Sequence, residues 1–420
     1  MNKKLLQQQL KHAYNTVEYY KKAFDENNIY TDMQFSFYDI PLLKKDMVID
    51  NEDMFISSSV KRKYYSGDLL LKRTSGSTGK CMNIYWLRSD FHASNLSAWK
   101  YRFKWYGISI KDIYVSFHSA IYQNGKIVYS PSFIIKNGNN ISFNKTMLDE
   151  SSIHQILKEI GIAKPIWMLV QPSILHALVS VASAKEIQIL NSLKYIELIG
   201  EFLSDNTCKY FKDMLPDVNF SNMYGTSETG CIALACPYGH NHILDNTYVE
   251  VLDNDYSLSQ SESNEGNIVI TSLKNTAMPL IRYCIGDRGK IKSSKCECGY
   301  EGWDISISLG RENDIIMLPN GIKKHSSILW QIVEEICDEY PNSISQFHFF
   351  QKAIDTFVIY LSLKDNYLNW KRVIEKSFQQ AISKYLCDEI QCIFDYNILD
   401  ILYGKNKLCF YSKGSAKNFL

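Results

Sequence analysis

A short segment rich in glycine and hydroxyl side chains is the first part of the chain that could bind an anion. It consists of Thr74, Ser75, Gly76, Ser77, Thr78, Gly79 and Lys80. Glycine lets backbone N–H groups approach a phosphate, hydroxyl groups donate hydrogen bonds, and a lysine supplies positive charge. A Walker A loop needs four residues between its first glycine and its glycine–lysine pair, and this segment has fewer. Serine, threonine and glycine also dominate ordinary surface loops, so phosphate binding and a plain polar loop are both open here.

Cysteine and histidine residues in two distant segments could hold a metal ion. Cys236, His240 and His242 lie in the first segment, and Cys296 and Cys298 lie in the second. Three thiolates and one imidazole would complete a tetrahedral zinc site. The spacing leaves open which histidine binds and whether the thiols are instead reduced and unliganded. The 11 cysteines come without an export signal, which predicts thiols or metal ligands rather than disulfides.

Alternating strand and helix patterns surround these residues. Apolar and aromatic residues at three- and four-residue spacing predict helix over residues 1 to about 35. Between residues 69 and 307, β-rich runs such as 166–170 alternate with helical runs such as 151–161, for which a serine is the expected N-terminal cap. This alternation favours an α/β fold with a largely parallel sheet.

The last hundred residues have a different pattern, with amphipathic helical runs at 326–340 and 370–386 and strand-like runs at 343–353, 356–365 and 390–398. They predict a small α+β domain. We place the boundary after residue 311, which gives an N-terminal domain of residues 1–311 and a C-terminal domain of residues 312–420. The predicted fold class is α/β: a large N-terminal domain of mixed or parallel sheets and helices, with a small mobile C-terminal α+β domain.

Composition and charge disfavour several function classes. The chain has 46 Lys and Arg against 45 Asp and Glu, so it lacks the basic excess that is typical of nucleic-acid-binding domains. No run reaches about 18 apolar residues, and the first residues lack the apolar core of a secretory signal. We therefore expect a cytoplasmic protein with no nucleic-acid partner and no membrane insertion.

Five motifs, taken in this order and spacing, resemble the adenylate-forming superfamily of acyl-CoA ligases, non-ribosomal peptide synthetase adenylation domains and luciferases. They are the loop at 74–80, IGEFLSD at 199–205, NMYGTSETG at 222–230, PLIRYCIGDRG at 279–289 and GRENDIIMLPNG at 310–321. They look most like the phenylacetate–CoA ligase and capsule-biosynthesis-protein-like branch, in which the QPSIL segment also has a counterpart. The resemblance implies that a carboxylate attacks the α-phosphate of ATP, and that a thiol or amine then displaces AMP.

The resemblance implies roles for the residues around the phosphates. The loop at 74–80 would hold the β- and γ-phosphates, and Ser227 would contact the α-phosphate. Glu228 would bind Mg²⁺, a hard cation that prefers oxygen ligands.

The adenosine contacts implied by the resemblance come from several motifs. Tyr224 would stack on adenine, Asp287 would hold both ribose hydroxyls, and Arg311 would contact the ribose or a phosphate. The other implied nucleotide-binding residues are Gly200, Glu201, Asn222, Gly225 and Thr226.

The chain departs from the family pattern at three places. Cys284 and Ile285 replace an Arg-Thr pair, and Asn313 stands at the usual hinge aspartate. The C-terminal catalytic lysine could be Lys405 or Lys407, and we favour Lys407 because an apolar run follows it. Either lysine would stabilise the charge that grows on the α-phosphate and the carboxylate.

Some members of this branch carry zinc at positions that match the cysteine and histidine segments. There the histidine begins a strand, which favours His242 over His240. The resemblance therefore implies a structural zinc held by Cys236, His242, Cys296 and Cys298.

The expected function is ATP-dependent activation of a carboxylic acid, with aromatic acids among the candidates, and transfer to coenzyme A with release of AMP and pyrophosphate. The alternatives are transfer to a carrier-protein phosphopantetheine thiol or to an amine, and a non-catalytic relative that only binds nucleotide. The expected cofactors are ATP, Mg²⁺, coenzyme A or carrier-protein phosphopantetheine, and structural zinc. The partners would be a small acid and either coenzyme A or an acyl carrier protein. The acid pocket is expected around residues 117–136 and near Gln171 and Ile199. The acid, the acceptor and the oligomeric state, a homodimer included, are open.

Overall fold

The computed structural model describes residues 2–29, 37–74, 82–118, 121–123, 126–128, 132–201, 203, 205–253, 265–309, 315–340, 343–363, 365–396 and 411–413. The chain divides into two compact units. One comprises residues 1–175 and 182–308, and the other comprises residues 176–181 and 309–420.

The strands of the first unit, in chain order, are β1 (Leu70–Arg73), β2 (Asn83–Trp86), β3 (Tyr114–His118), β4 (Ile121–Gln123), β5 (Lys126–Val128), β6 (Ile134–Asn137), β7 (Asn140–Asn144), β8 (Trp167–Val170), β9 (Tyr195–Ile199), β10 (Asn219–Thr226), β11 (Gly230–Ala235), β12 (Asn241–Ile243), β13 (Thr247–Leu252), β14 (Gly266–Ser272), β15 (Tyr283–Lys295) and β16 (Glu301–Leu309). Twelve of them form one sheet in the order β13-β14-β15-β16-β12-β11-β10-β9-β8-β3-β7-β6. The pairs β1-β2 and β4-β5 form separate hairpins.

The helices of this region are α1 (Lys3–Thr16), α2 (Glu18–Glu26), α3 (Lys45–Asp50), α4 (Lys61–Ser66), α5 (Arg88–Tyr106), α6 (Glu150–Ala163), α7 (Pro172–Val181), α8 (Ala184–Asn191) and α9 (Asp205–Met214). Residues 176–181 of α7 belong to the second unit. No helix within the described ranges is both long and apolar enough to cross a membrane.

Strands β7, β3, β8, β9 and β10 run parallel to one another. Helices α6 to α9 lie along the chain between β7 and β10, as parallel pairing requires. The carboxyl ends of these strands therefore lie at one edge of the sheet. The residues at or just beyond these ends include His118, Lys145, Gln171, Gly200 and Ser227.

Two helix boundaries differ from the sequence-based expectation. The helix predicted for residues 1 to about 35 is two helices, because the buried Val17 has extended backbone angles (φ −116°, ψ 116°). The cap of α6 is Asp149 rather than a serine. Its carboxylate accepts from the Ser152 N–H at 2.7 Å, and the Ser152 hydroxyl accepts from the Asp149 N–H at 2.7 Å. Aspartate and serine thus form a reciprocal capping box at this end.

A buried ion pair joins α5 to the middle of the parallel strands. The Arg102 guanidinium donates to both carboxylate oxygens of Glu197 at 2.7 and 2.6 Å, and the Tyr195 hydroxyl donates to the same carboxylate at 2.8 Å. Two parallel N–H···O bonds fix the guanidinium in one plane. Removing either charge would leave the other buried without its partner, so the pair fixes where α5 lies on the sheet.

The second unit has the α+β composition that the sequence predicts. Its strands are β17 (Ile315–Met317), β18 (Lys323–His325), β19 (Ile344–Ala353), β20 (Thr356–Leu363), β21 (Gln391–Asp395) and β22 (Tyr411–Lys413), and its further helices are α10 (Ser327–Glu339) and α11 (Lys371–Tyr385). Four strands form a sheet in the order β21-β20-β19-β22. Apolar residues of both helices and of this sheet share one buried core.

The glycine-rich loop connects β1 to β2, and one carboxylate anchors this hairpin. Glu52 accepts hydrogen bonds from the Asn83 amide at 2.9 Å, the Tyr85 hydroxyl at 3.0 Å and the Tyr64 hydroxyl at 2.9 Å. Burial and the Glu52 carboxylate raise the pKa of Tyr64 to about 12, so this hydroxyl keeps its proton and donates. The carboxylate thus fixes β2 at the point where the loop rejoins the sheet.

We predict that Glu52→Gln loosens this hairpin. The neutral amide offers one oxygen to three donors, so one or more of them loses its partner, at a cost of about 1–3 kcal/mol. Urea unfolding should show that loss, and hydrogen exchange should be faster at the amides of β1 and β2. The matched control is Glu26→Gln, because Glu26 is exposed and its contact with Lys22 is long, at 4.0 Å. Equal stability of the two variants would contradict the prediction.

Candidate functional site

The base of the glycine-rich loop is closed by Thr74. Its N–H donates to the Met82 carbonyl at 2.9 Å, and its hydroxyl accepts from the Met82 N–H at 2.9 Å. Thr74 therefore joins the two arms of the hairpin. The other predicted phosphate-binding residues, Ser75, Gly76, Ser77, Thr78, Gly79 and Lys80, lie outside the described residues.

The turn after β10 carries the predicted α-phosphate and magnesium residues. Ser227 is exposed there, whereas Glu228 is buried and accepts a hydrogen bond from the Tyr283 hydroxyl at 3.3 Å. Gly225 lies in a bulge, and a Cβ at this position would be 2.6 Å from the Gly230 carbonyl oxygen. No side chain fits that distance, so this tight turn requires glycine at position 225.

Two predicted adenosine residues lie in direct contact. The Tyr224 hydroxyl donates to Asp287 at 2.6 Å, although their strands, β10 and β15, are not neighbours in the sheet. Asp287 is buried and Tyr224 is half-buried. An aromatic ring and a carboxylate so placed could contact the base and the ribose of one nucleoside. Asn222 and Thr226 are half-buried residues of the same β10 strand.

Gly200 and Glu201 follow β9 at the carboxyl edge of the sheet. Gly200 has φ +75°, a left-handed conformation that glycine adopts without strain. The Glu201 carboxylate accepts from the Ser173 N–H at 2.9 Å and from the Ser173 hydroxyl at 2.8 Å, at the start of α7. Its contact with adenine stays a prediction.

Several other predicted residues lie outside the described ranges. They are Arg311 and Asn313 in the hinge motif, both candidate lysines Lys405 and Lys407, and residues 119–120, 124–125 and 129–131 of the expected acid pocket.

The structure brings Cys236, His242, Cys296 and Cys298 together. One potential ligand atom from each lies within 4.8 Å of the other three. The Cys236 and Cys296 sulfurs are 3.9 Å apart, and the Cys298 sulfur is 3.2 Å from His242 Nε2. Bonds of about 2.3 Å to sulfur and 2.0 Å to nitrogen around a tetrahedral zinc place such atoms about 3.5–3.8 Å apart. The four side chains therefore fit one zinc ion.

Two turns of the same form present the cysteines. In each turn the cysteine carbonyl accepts from the N–H of a glycine three residues later. The cysteine N–H donates to the carbonyl of the residue that follows this glycine. The first turn runs from Cys236 through Gly239, and the second from Cys296 through Gly299, with glycine φ values of +81° and +77°. Both segments contain the sequence pattern C-x-x-G, which could have indicated that the two turns have the same form. The spacing of the metal ligands alone does not indicate this.

A buried carboxylate orients the histidine. His242 and Asp304 lie opposite each other on β12 and β16, and Asp304 hydrogen-bonds His242 Nδ1. Nε2 therefore faces the thiols, in the carboxylate–histidine arrangement that is common at zinc sites. Tyr300 stacks on the imidazole with ring centroids 4.2 Å apart. His240 is about half exposed, and its Nδ1 is 3.7 Å from Asp304.

Two thiols of this cluster, those of Cys236 and Cys298, are costly to ionise without a cation. Burial raises the pKa of Cys236, and burial with the neighbouring thiols raises the pKa of Cys298 to about 12. A divalent cation would stabilise the thiolate forms that zinc binds.

The chain is similar to known proteins in sequence and in fold. Residues 70–278 match the model of the AMP-binding enzyme family. A phenylacetate–coenzyme A ligase of Thermus thermophilus is 30% identical over 132 residues, which cover 30% of this chain and 29% of that protein. The chain thus spans less than a third of the length of that curated relative.

Solved structures show the fold. A 2-hydroxyisobutyryl-CoA ligase bound to 2-HIB-AMP in the postadenylation state aligns with a TM-score of 0.66 and 14% identity, over 99% of this chain and 88% of that one. The same ligase with 2-HIB-AMP and CoA in the thioesterification state aligns with a TM-score of 0.60 and 16% identity, over 97% and 88%. The predicted fold class is confirmed: residues 70–278 match an AMP-binding enzyme domain, and the chain has the fold of these CoA ligases.

Proposed function

We propose that this protein activates a carboxylic acid with ATP and transfers the acyl group to coenzyme A. The observation that carries the proposal is the contact between Tyr224 and Asp287, with the buried Glu228 in the turn that follows Tyr224, in a chain whose residues 70–278 match the AMP-binding enzyme family. These side chains can contact the base, the ribose and a phosphate-bound cation of one nucleotide. Tyr224 and Glu228 come from one motif and Asp287 from another, so the contact between Tyr224 and Asp287 is not a local effect of sequence.

In the first step, a carboxylate oxygen of the acid attacks the α-phosphorus of ATP. The bond from the α-phosphorus to the bridging oxygen breaks, and pyrophosphate leaves with the electron pair. The exposed Ser227 hydroxyl would donate to an α-phosphate oxygen, and Glu228 would hold Mg²⁺, which supplies positive charge to the phosphates. Tyr224 and Asp287 would orient the adenosine.

In the second step, a thiolate attacks the acyl carbon of the acyl-adenylate, and AMP leaves with the electron pair of the C–O bond. Coenzyme A is the proposed acceptor because the similar proteins named above are CoA ligases. Transfer to a carrier-protein phosphopantetheine is the alternative, since the fold itself does not select the acceptor. A thioester assay with CoA and with carrier proteins separates them.

ATP–pyrophosphate exchange over a panel of acids tests the first step, with hydroxylamine to trap the adenylate. We expect Glu228→Gln to lower exchange by on the order of 10²–10³, the scale for loss of one preorganised charged group. Glu301→Gln is the control because this glutamate is exposed. Exchange at the wild-type rate in Glu228→Gln would contradict the magnesium role, and no exchange with any acid would contradict the adenylation.

The same assay tests the two candidate lysines. Loss of the lysine that stabilises the growing charge should lower exchange by on the order of 10²–10³ in Lys405→Ala or Lys407→Ala, and we expect the larger loss at Lys407. Lys376→Ala, an exposed position on α11, is the control. Unchanged exchange in both variants would remove this role from both residues.

We also propose that Cys236, His242, Cys296 and Cys298 hold a structural zinc ion. The donor set, the short distances between ligand atoms and the Asp304 contact support this assignment. The three thiolates and the imidazole fill a tetrahedral shell, so the ion has no position for substrate.

Metal analysis of the purified protein should find about one zinc per chain. Cys296→Ser should lose most of it and melt at a lower temperature, since bound metal stabilises the folded state. Asp304→Asn should weaken zinc binding about 10–100-fold. Cys208→Ser is the control, because Cys208 lies on α9 apart from the four clustered residues. Protein that is folded and free of stoichiometric zinc would overturn the assignment.

A further inference from the structure

Two polar side chains with no part in the adenosine contacts meet at the carboxyl edge of the parallel strands. His118 ends β3 and pairs in register with Asn144, which ends β7, and Lys145 follows directly. In open α/β sheets, ligands bind outside the carboxyl ends of the strands. The two side chains are therefore on the edge where a substrate is expected.

The imidazole of His118 has one nitrogen with a partner and one without. Nδ1 lies 2.8 Å from the Ser142 hydroxyl, and Ser142 in turn accepts from the Ser116 hydroxyl at 3.0 Å. The Ser116 hydroxyl is also 3.0 Å from the Asn140 side-chain oxygen and has one hydrogen for the two contacts. We assign the tautomer in which Ser142 donates to Nδ1, so that a neutral imidazole carries its hydrogen on Nε2. Nε2 is buried and has no hydrogen-bond partner within the described part of the chain. A buried donor without a partner is costly, and a ligand oxygen would satisfy it.

The Lys145 ammonium is held beside this imidazole by a chain of side chains. It donates to the Gln171 side-chain oxygen at 2.9 Å, and the Gln171 amide lies 3.4 Å from Glu201, which α7 fixes through Ser173. Gln171 is buried, so its hydrogen bond with Lys145 is not an exposed surface contact. Burial first, and the nearby positive charge of Lys145 second, lower the pKa of His118. The edge thus presents a neutral N–H beside a cation.

We propose that His118 and Lys145 bind an oxygen-bearing group of the acid other than the carboxylate that is activated. The preferred substrates are then hydroxy acids or dicarboxylic acids, on an aliphatic or an aromatic skeleton, rather than acids with a pure hydrocarbon tail. An N–H donor and an ammonium both match hydroxyl or carboxylate oxygen, and neither gains from contact with a methyl group. The inference rests on the proposed acid activation and adds the class of acid.

Equilibrium binding to matched acids tests the inference without relying on catalysis. Calorimetry in the presence of a non-hydrolysable ATP analogue compares butanoate with 4-hydroxybutanoate and butanedioate, and phenylacetate with 4-hydroxyphenylacetate and 4-carboxyphenylacetate. In at least one series, an oxygen-bearing acid should bind at least about tenfold more tightly than its hydrocarbon partner, the effect of one good hydrogen bond.

Variants assign that preference to the two residues. Lys145→Met should abolish the advantage of the carboxylate acids, and His118→Phe that of the hydroxy acids, with hydrocarbon acids changing less than about threefold. His118→Gln keeps an N–H donor and should retain part of the preference, which separates hydrogen bonding from packing. Lys158→Met, at an exposed position on α6, is the matched control and should leave every ratio unchanged.

Two results would overturn the inference. One is equal or tighter binding of the hydrocarbon acids in both series. The other is equal weakening of both members of a pair by Lys145→Met, which is the result expected if the lysine only neutralises Glu201. Pyrophosphate exchange over the same acids separates this failure from that of the proposed function: selective binding without exchange contradicts adenylation alone, and exchange that favours hydrocarbon acids contradicts the substrate class alone.

Discussion

Parallel pairing of five strands is the constraint on which the candidate site depends. Each strand must be reached by a crossover, so all five carboxyl ends, and the polar residues that follow them, lie at one edge. The buried pair of Arg102 and Glu197 fixes the helix that covers the middle of this layer. A shift of β9 by one residue would turn Glu197 to the other face and move Gly200 from its turn. Correct register is therefore a condition for every contact at that edge.

The four side chains that we propose as zinc ligands lie just beyond the ends of β11 and β15. The β11 strand begins just after Glu228 and ends just before Cys236, and β15 contains Asp287 and ends just before Cys296. A zinc ion that joins the two cysteines would hold these strands at fixed distance and register. Tyr224 and Asp287 contact each other across non-neighbouring strands, so such a constraint would add to the strand pairing that keeps them in contact. A structural metal outside the reaction would thus still affect nucleotide binding.

Local patterns in the sequence were enough to predict most of the elements, and ordered motifs were enough to predict the AMP-binding domain that residues 70–278 match. Strand β8, helix α10 and the β19-β20 pair form where periodicity predicts them. The break at Val17 was not predictable, because a buried valine fits the helical pattern and only tertiary packing favours its extended backbone. The Asp304 contact with His242 spans 62 residues, and those of Glu52 with Asn83 and Tyr85 span 31 and 33. Neither has a local signal, since pairing of distant strands decides which side chains meet.

The position of β10 explains how an acid and a nucleotide could meet. This strand is parallel to β9 on one side and antiparallel to β11 on the other. On the β9 side lies Gln171, which accepts from Lys145, and we assign Lys145 and His118 to the acid. The turn into β11 carries Glu228, which accepts from Tyr283 on β15, the strand that also carries Asp287. A carboxylate bound on the parallel side and an α-phosphate bound on the antiparallel side would approach each other at the turn after β10. That turn carries an exposed hydroxyl and a buried carboxylate on adjacent residues, and a bulge that only glycine fits keeps it tight. The reaction would therefore take place where the sheet changes from parallel to antiparallel, because the candidate groups on both sides of β10 lie towards that turn.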